Sequence, residues 1–182
     1  MTTLADPADI LAFWRNAGRD KWFSKDEAFD SAIRDRFLAT YTAAATGRLA
    51  PWEATPEHAL ALVIVLDQFP RNMFRGSARA FGADPIARAV ADRAIARGFD
   101  QQIHQNERQF FYLPFEHSED LADQEHGLTL FRATGDAEAV KWAEHHAEII
   151  RRFGRFPHRN AVLGRATTVE EQAFLDAGGF AG

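Results

Sequence analysis

Asp67 is the first residue placed for chemistry. It sits in Leu66-Asp67-Gln68-Phe69-Pro70-Arg71-Asn72, directly after the apolar run Ala59–Leu66. It continues the stripe of Leu60 and Ile64, so the helix that carries it should run through the core. A carboxylate at that end faces the negative pole of the helix dipole and, once buried, loses its hydration as well. It needs cationic or donor partners, and Arg71, Arg75 and the later arginines are the candidates. Two readings follow: a structural ion pair or cap that ties down residues 69–76, or part of a binding site with Arg71 and Asn72.

Two belts of opposite charge lie further along. From Gln109 to Phe131 there are five acids (Glu116, Glu119, Asp120, Asp123, Glu125) and no Lys or Arg. Pro114 is expected to break the helix before it and Ser118 to cap the next, leaving Glu116 and His117 at a helix entrance. Glu119 and Asp120 read as first-turn acids that complement the dipole. From Ile149 to Val169 there are five arginines (Arg151, Arg152, Arg155, Arg159, Arg165) and no acid. Phe153 and Phe156 interleave with them, so part of this segment should be buried, and buried guanidinium demands a planar carboxylate or phosphate partner. The acidic belt can supply those carboxylates internally, which is expected for most of the arginines. Any left over would be open to an anionic ligand.

Histidine adds proton chemistry. Over 136–153, Trp142, His146, Ile149, Ile150 and Phe153 share one helical face, which turns His146 inward and leaves His145 on the flank. An inward His is either a satisfied core residue or an acid–base partner. Metal ligation is not expected: among seven His there is no His-Glu-x-x-His and no Glu-x-x-His pair, and Asp123-x-x-His126 and His145-x-x-Glu148 lack mates. No Gly-rich phosphate loop or nucleophile elbow occurs, Arg75-Gly76-Ser77-Ala78 reads as a turn and cap, and no cofactor is implied.

The elements that must position these groups are helical throughout. Asp6-Pro7, Thr55-Pro56 and Asp84-Pro85 each set a capping oxygen before Pro at the first helical position. Ser24–Glu27 and Thr168–Glu171 have the spacing of capping boxes. Gly18, Gly47, Gly98, Gly135 and Gly154 follow periodic stretches as stops. Helices are thus predicted at about 7–17, 24–46, 56–68, 85–97, 104–112, 119–133, 136–153 and 169–177, with 69–85 as a long connection. Phe29, Ile33, Phe37 and Tyr41 form one stripe, and no segment alternates with period 2. Phe69-Pro70-Arg71-Asn72 and Phe156-Pro157-His158-Arg159-Asn160 echo one another as two similar helix exits. The fold expected is all-α, a compact array of antiparallel helix pairs in one domain over 1–182.

Three segments resemble a bacterial family, domain-of-unknown-function family 924. They are Leu66–Gly76, Glu107–Glu119 (Glu-Arg-Gln-Phe-Phe-Tyr-Leu-Pro-Phe-Glu-His-Ser-Glu) and Arg152–Asn160 (Arg-Phe-Gly-Arg-Phe-Pro-His-Arg-Asn). Lys21-Trp22-Phe23 and Gly164-Arg165 extend the likeness over nearly the whole chain. The resemblance implies a tetratricopeptide-repeat-like helical fold and brings no activity or catalytic residue with it.

Composition narrows the function classes. With 182 residues, 21 Lys+Arg against 26 Asp+Glu and a net charge of −5, a surface wholly devoted to nucleic acid or membrane is excluded. The absence of Cys excludes disulfides, thiolate nucleophiles and Cys-ligated metals. No apolar run approaches the roughly 20 residues of a membrane span. The N-terminus Met1–Pro7 lacks a secretion pattern, so a cytoplasmic location is expected. Sixteen Phe and four Trp promise a ring-rich core. The expected function is binding of an anionic small molecule where the two Phe-Pro exits and the Pro114–Ser118 entrance converge. Arg71, Arg152, Arg155 and Arg159 would hold the anion, and His117, His146 or His158 would handle protons. The alternative is a helical scaffold for a protein or peptide partner. No reaction class follows from the residues.

Overall fold

Capping chemistry starts most helices where the sequence places it. In the computed structural model, which describes residues 4–180, Asp6 accepts from the Asp9 N–H ahead of α1 (Pro7–Ala17), and Thr55 from the His58 N–H ahead of α4 (Pro56–Val63). Thr168 forms a complete capping box with Glu171 on α10 (Val169–Asp176). Met1–Thr3, part of the N-terminal stretch considered above, lie outside the described residues. Between these elements come α2 (Arg19–Trp22), α3 (Glu27–Ala45), α5 (Phe69–Met73), α6 (Asp84–Ala96), α7 (Gln109–Glu116), α8 (Leu121–Thr134) and α9 (Ala137–Phe153). No strand occurs among the described residues, and the fold is all-α.

Local competition accounts for the departures from expectation. The box at Ser24 does not form; Asp26 caps α3 instead, accepting from the Phe29 N–H, because its carboxylate is the stronger acceptor beside the dipole. Asp84 lies inside α6, not at its cap, since its side chain is taken by Arg71. Pro114 sits within α7 and does not break it. The bond it forfeits is to Phe110, at the very start of that short helix, so little helix lies upstream to be disrupted. Asp120 caps α8, and Ser118 supports it from outside, accepting from the Asp120 N–H and donating to Asp123 Oδ2.

The chain divides into two compact units, one running to Arg75 and including Arg79–Pro114, the other comprising Gly76–Ala78 and the chain from Phe115 onward. In the first, α4 is buried from Ala59 to Val63 and packs against α1 and α6. Trp14, Phe37, Phe69 and Phe110 are fully buried and interlock as stacked and edge-on rings. The helix beginning at Pro56 does not stop at Gln68. It passes through a π turn (Ile64–Gln68), where the Phe69 N–H reaches the Ile64 carbonyl, and continues as α5. Pro70 offers no N–H and would collide with the carbonyl one turn back, and the widened turn relieves both problems. In the second unit α8 and α9 form a hairpin closed by Gly135, whose φ of 73° suits a residue without Cβ. Ile149, Ile150 and Phe156 form its core with Phe153, Phe174 and Phe180 around them. The two Phe-Pro segments are therefore not alike: 69–73 is α-helical, whereas Pro157–Arg159 is a 3-10 turn beyond the Gly154 stop.

Candidate functional site

The π turn of the first unit fixes Asp67. Its side chain is fully buried, accepts from Gln68 Nε2 at 2.7 Å, and lies 3.2 Å from Arg71 Nη1. Arg71 also donates to the Asp67 carbonyl and clasps Asp84 with two hydrogen bonds of 3.0 Å. Burial works against the Arg71 charge, but the two carboxylates outweigh it and hold the guanidinium above its usual pKa. Asn72, one residue on, donates to Asp30 at 2.7 Å, and Arg75 forks onto the same carboxylate at 2.8 and 3.0 Å. Arg71, not Arg75, is the partner of Asp67. Asp30 and Asp84 complete this group, and neither stood out in the sequence, one being an ordinary first-turn acid and the other reading as a cap.

In the second unit the chain folds the basic segment onto the acidic belt. Glu119 accepts from the Phe156 N–H at 2.8 Å and is clasped by Arg165 at 2.6 and 3.0 Å. Burial pushes the Glu119 carboxyl up, but the hydrogen bonds from Arg165 and Phe156 more than offset it and leave the group below the usual carboxylate range. Glu119 is thus an ion-pair anchor and more than a dipole complement, which corrects the expectation. Arg155 turns elsewhere, forking onto Glu171 at 2.6 and 2.8 Å and reaching the Ala166 carbonyl. The Arg155 hydrogen bond, against the cost of burial and with help from the Thr168 N–H, brings the Glu171 carboxyl down to about 2. Arg151 approaches Glu125 and Glu148. Arg152 is exposed and stacks its guanidinium on Phe153 at 4.6 Å. Internal pairing absorbs most of the belt, and Arg155 and Arg165 are held in place by it.

Glu116, His117, His146, His158 and Arg159 remain. Gln124 of α8 ties down the turn that carries the first two, donating to the carbonyls of Glu116 and Ser118 at 2.6 Å each. Gly127, one turn on, lets α8 approach closely, since a Cβ there would lie 3.0 Å from the Phe115 Cβ. Neither Gln124 nor Gly127 carried a signal beyond lying on the inward face of α8. His146 is 6% exposed, and its Nδ1 stands 2.9 Å from the Trp142 carbonyl and 3.1 Å from Glu116 Oε1. With two acceptors there, Nδ1 carries the proton and Nε2 presents a lone pair. Burial is the main reason the imidazole stays neutral, with a pKa drawn down to about 3 despite the bond to Trp142; the charges of His117, His145 and Arg159 add to the effect. The ring packs edge-on to Phe180 at 4.5 Å and Phe156 at 5.6 Å. Arg159 is buried, lies 4.5 Å over the Phe156 ring and donates to the His117 carbonyl at 3.0 Å. His158 is half-buried beside Phe156 and Phe180. Trp142, expected on the inward face, is 47% exposed: Ala143 and Ala147 form the buried stripe with His146 and Ile150, and Trp142 lies at its edge, donating to Glu138. Phe180 is the contributor to this cluster that the sequence did not disclose.

The candidate residues thus fall into two groups, Asp67, Arg71 and Asn72 in the first unit and the rest in the second. Among the described residues no three His, Asp or Glu side chains form a metal-holding group, and no helix is long and apolar enough to cross a membrane.

An all-helical chain with buried Asp–Arg and Glu–His pairs bracketed by Phe-Pro motifs has counterparts among other proteins. It belongs to the family described as Bacterial protein of unknown function (DUF924), which matches residues 10–179. Among solved structures, the protein of unknown function ATU0120 from Agrobacterium tumefaciens is similar, with 49% identity and a TM-score of 0.91 over 94% of this chain and 97% of that one. No protein with a curated description matches.

Proposed function

We propose that the protein binds a small anionic molecule at the polar cluster of the second unit, through Glu116, His117, His146, His158 and Arg159. The observation that carries this reading is the state of His146. It is a buried, neutral imidazole whose tautomer is fixed from behind by Glu116 and Trp142, within electrostatic reach of His117, His145 and Arg159. Among the described residues Nε2 has no hydrogen-bond partner. Such a group suits a ligand that brings negative charge to the cationic neighbours and a hydroxyl or N–H donor to Nε2. Hydrogen phosphate esters and hydroxy acids have both features. The resemblance of the helix array to tetratricopeptide repeats belongs to the same reading and is supported by the α8–α9 hairpin.

Calorimetric titration with inorganic phosphate and with a panel of hydroxycarboxylates tests it. Saturable binding that His146→Gln and Arg159→Gln both weaken is expected. No heat from any probe up to about 10 mM, the weak end of specific recognition, refutes it. Binding of a peptide but of no small anion would favour the scaffold reading in its place.

A further inference from the structure

A second place in the molecule, wholly within the first unit, has the components of a recognition site and takes no part in the cluster above. A groove of about 430 Å³ runs between α1 and α3. Its α1 wall is Asp9, Ala12, Phe13, Asn16 and Ala17, the single face that spacings of three and four produce. Phe29 and Arg36 of α3 form the other wall, and Lys21 closes one end.

Each polar side chain can be accounted for. Lys21 is paired with Asp26 at 2.9 Å. Arg36 lies over the rings of Phe13 at 4.7 Å and Phe37 at 4.9 Å. That stacking uses the face of the guanidinium and leaves its edge of N–H donors pointing away from the rings. Among the described residues no side chain or carbonyl accepts from that edge, and the Asp9 carboxylate and the Asn16 amide are likewise without side-chain hydrogen bonds. An exposed charge without a partner is ordinary. Two of opposite sign, with an amide beside them, around one aromatic-floored groove are not.

The register of the two helices sets their relative places. The Ala5 N–H donates to Thr40 Oγ1 at 3.0 Å, and further along α1 Phe13 meets Phe37 and then Phe29, while Lys21 lies over Phe29. The helices therefore run antiparallel. Asp9, one turn beyond Ala5, and Arg36, one turn before Thr40, come level at the same end of the groove. They form no ion pair within 4.0 Å among the described residues. A carboxylate and a guanidinium level with each other, close to an aromatic floor and not joined, match an ammonium and a carboxylate carried on one carbon.

We propose that this groove binds a free aromatic α-amino acid, its carboxylate on the edge of Arg36, its ammonium on Asp9, and its ring on Phe13 and Phe29 between Ala12 and Ala17. Phe13 is half-buried with Phe29 stacked behind it, centroids 5.4 Å apart, which offers the groove a ring edge for edge-to-face contact. The Asp9 charge disfavours dianions, which separates this site from the phosphate-accepting cluster of the second unit.

The test is a 15N-resolved NMR titration of the whole chain with L-phenylalanine, phenylacetate, phenethylamine and glycine. L-Phenylalanine should shift the Ala12, Phe13 and Ala17 amides saturably. Either half-molecule, and glycine, should bind at least about tenfold more weakly, each lacking one contact. Arg36→Gln and Asp9→Asn, both at exposed positions, should each weaken L-phenylalanine by a similar factor. The proposal falls if L-phenylalanine gives no saturable shift by about 20 mM. It falls equally if phenethylamine or phenylacetate binds as well as the amino acid, or if Arg36→Gln leaves the affinity unchanged. Shifts produced by phosphate at His146 would report the other site, so the two proposals fail separately.

Discussion

Replacing Arg71 by Met removes the cation from between two buried carboxylates while keeping most of the apolar stem. Asp67 is fully enclosed and Asp84 is 7% exposed. Asp84 lies in the first turn of α6, where the dipole continues to favour its charge. Asp67 lies in the π turn inside a continuing helix and gains no such help. It can stay charged without its cation, or it can take up a proton. Protonation sets a ceiling on the penalty. From an unfolded pKa near 3.9, neutralising a carboxyl costs about 1.36 kcal/mol per pH unit, or roughly 4 kcal/mol at pH 7 and about 1.5 kcal/mol at pH 5. The first figure falls within the roughly 3–5 kcal/mol typical of a buried pair broken from one side.

The sign follows from proton counting. In the Arg71→Met protein the native Asp67 carboxyl has a pKa above its unfolded value, so the native state binds more protons between the two and the destabilisation shrinks as pH falls. Urea unfolding at pH 7 and pH 5, followed by circular dichroism and by Trp fluorescence, measures this. Trp14, Trp22 and Trp52 all belong to the first unit, so the fluorescence reports mainly on the part that holds the substitution. A loss of about 4 kcal/mol at pH 7, or about 10 °C in Tm for a chain of this size, is expected. Asp67→Asn in the same background should recover most of it. A loss below about 1 kcal/mol at pH 7, or an equal loss at both pH values, would refute the reasoning.

Three further outcomes follow from the second unit. His146 is buried neutral with a pKa near 3, so the unfolded chain binds more protons below pH 6.5 and stability should fall as the pH drops; from pH 6.5 to 5 the loss is about 2 kcal/mol, absent in His146→Gln. Were Glu116 instead to draw a proton onto the ring, native His146 would titrate above 6.5 and the slope would reverse, which an NMR titration of the imidazole would reveal. Gly127→Ala should destabilise by about 1 kcal/mol and shift the His146 ring resonances, because the overlap with the Phe115 Cβ outweighs the comparable gain in helix propensity. Glu171→Gln should remove a part of the acid sensitivity, since the Glu171 contribution is complete above about pH 4.5 and is lost towards pH 2; unchanged acid denaturation midpoints would count against it.

Helix starts were legible because an N-cap is a local event. Asp6, Thr55 and Thr168 each find their donor within three residues, and no tertiary contact competes. Asp84 shows the limit. By sequence it is as good a cap as Asp6, yet Arg71 claims it, and nothing local reveals that a guanidinium thirteen residues away will arrive first. Pro70 and Pro114 failed as breakers for a related reason. The cost of a proline depends on what lies one turn upstream, and there a π turn in one case and a helix start in the other remove the obstacle. Trp142 was misplaced because a broad apolar stripe has two edges, and only packing selects which is covered. Gln124, Gly127 and Phe180 were silent because positioning another residue leaves no signature in a side chain's own type.

The distribution of carboxylates explains why the site cluster has the character it does. Glu119 and Glu171, the acids nearest the arginine-rich segment, are each taken by a forked guanidinium, and Arg159 is directed to the His117 carbonyl by the same turn that brings Phe156 onto Glu119. What faces His146 is then one carboxyl group, Glu116, against three neighbours whose charge opposes protonation. Burial is the main reason the ring stays neutral, and the neighbouring charges reinforce that state. Arg159, 7% exposed, donates to a carbonyl and lies over an aromatic face, and its charge helps to hold the Glu119 carboxyl down. A buried imidazole with a strongly lowered pKa beside a buried guanidinium is the kind of perturbed group that gathers at functional sites. On that ground Arg159→Gln should lower anion affinity at least about tenfold. Unchanged anion affinity in Arg159→Gln would place this arginine in the framework and out of the ligand's reach.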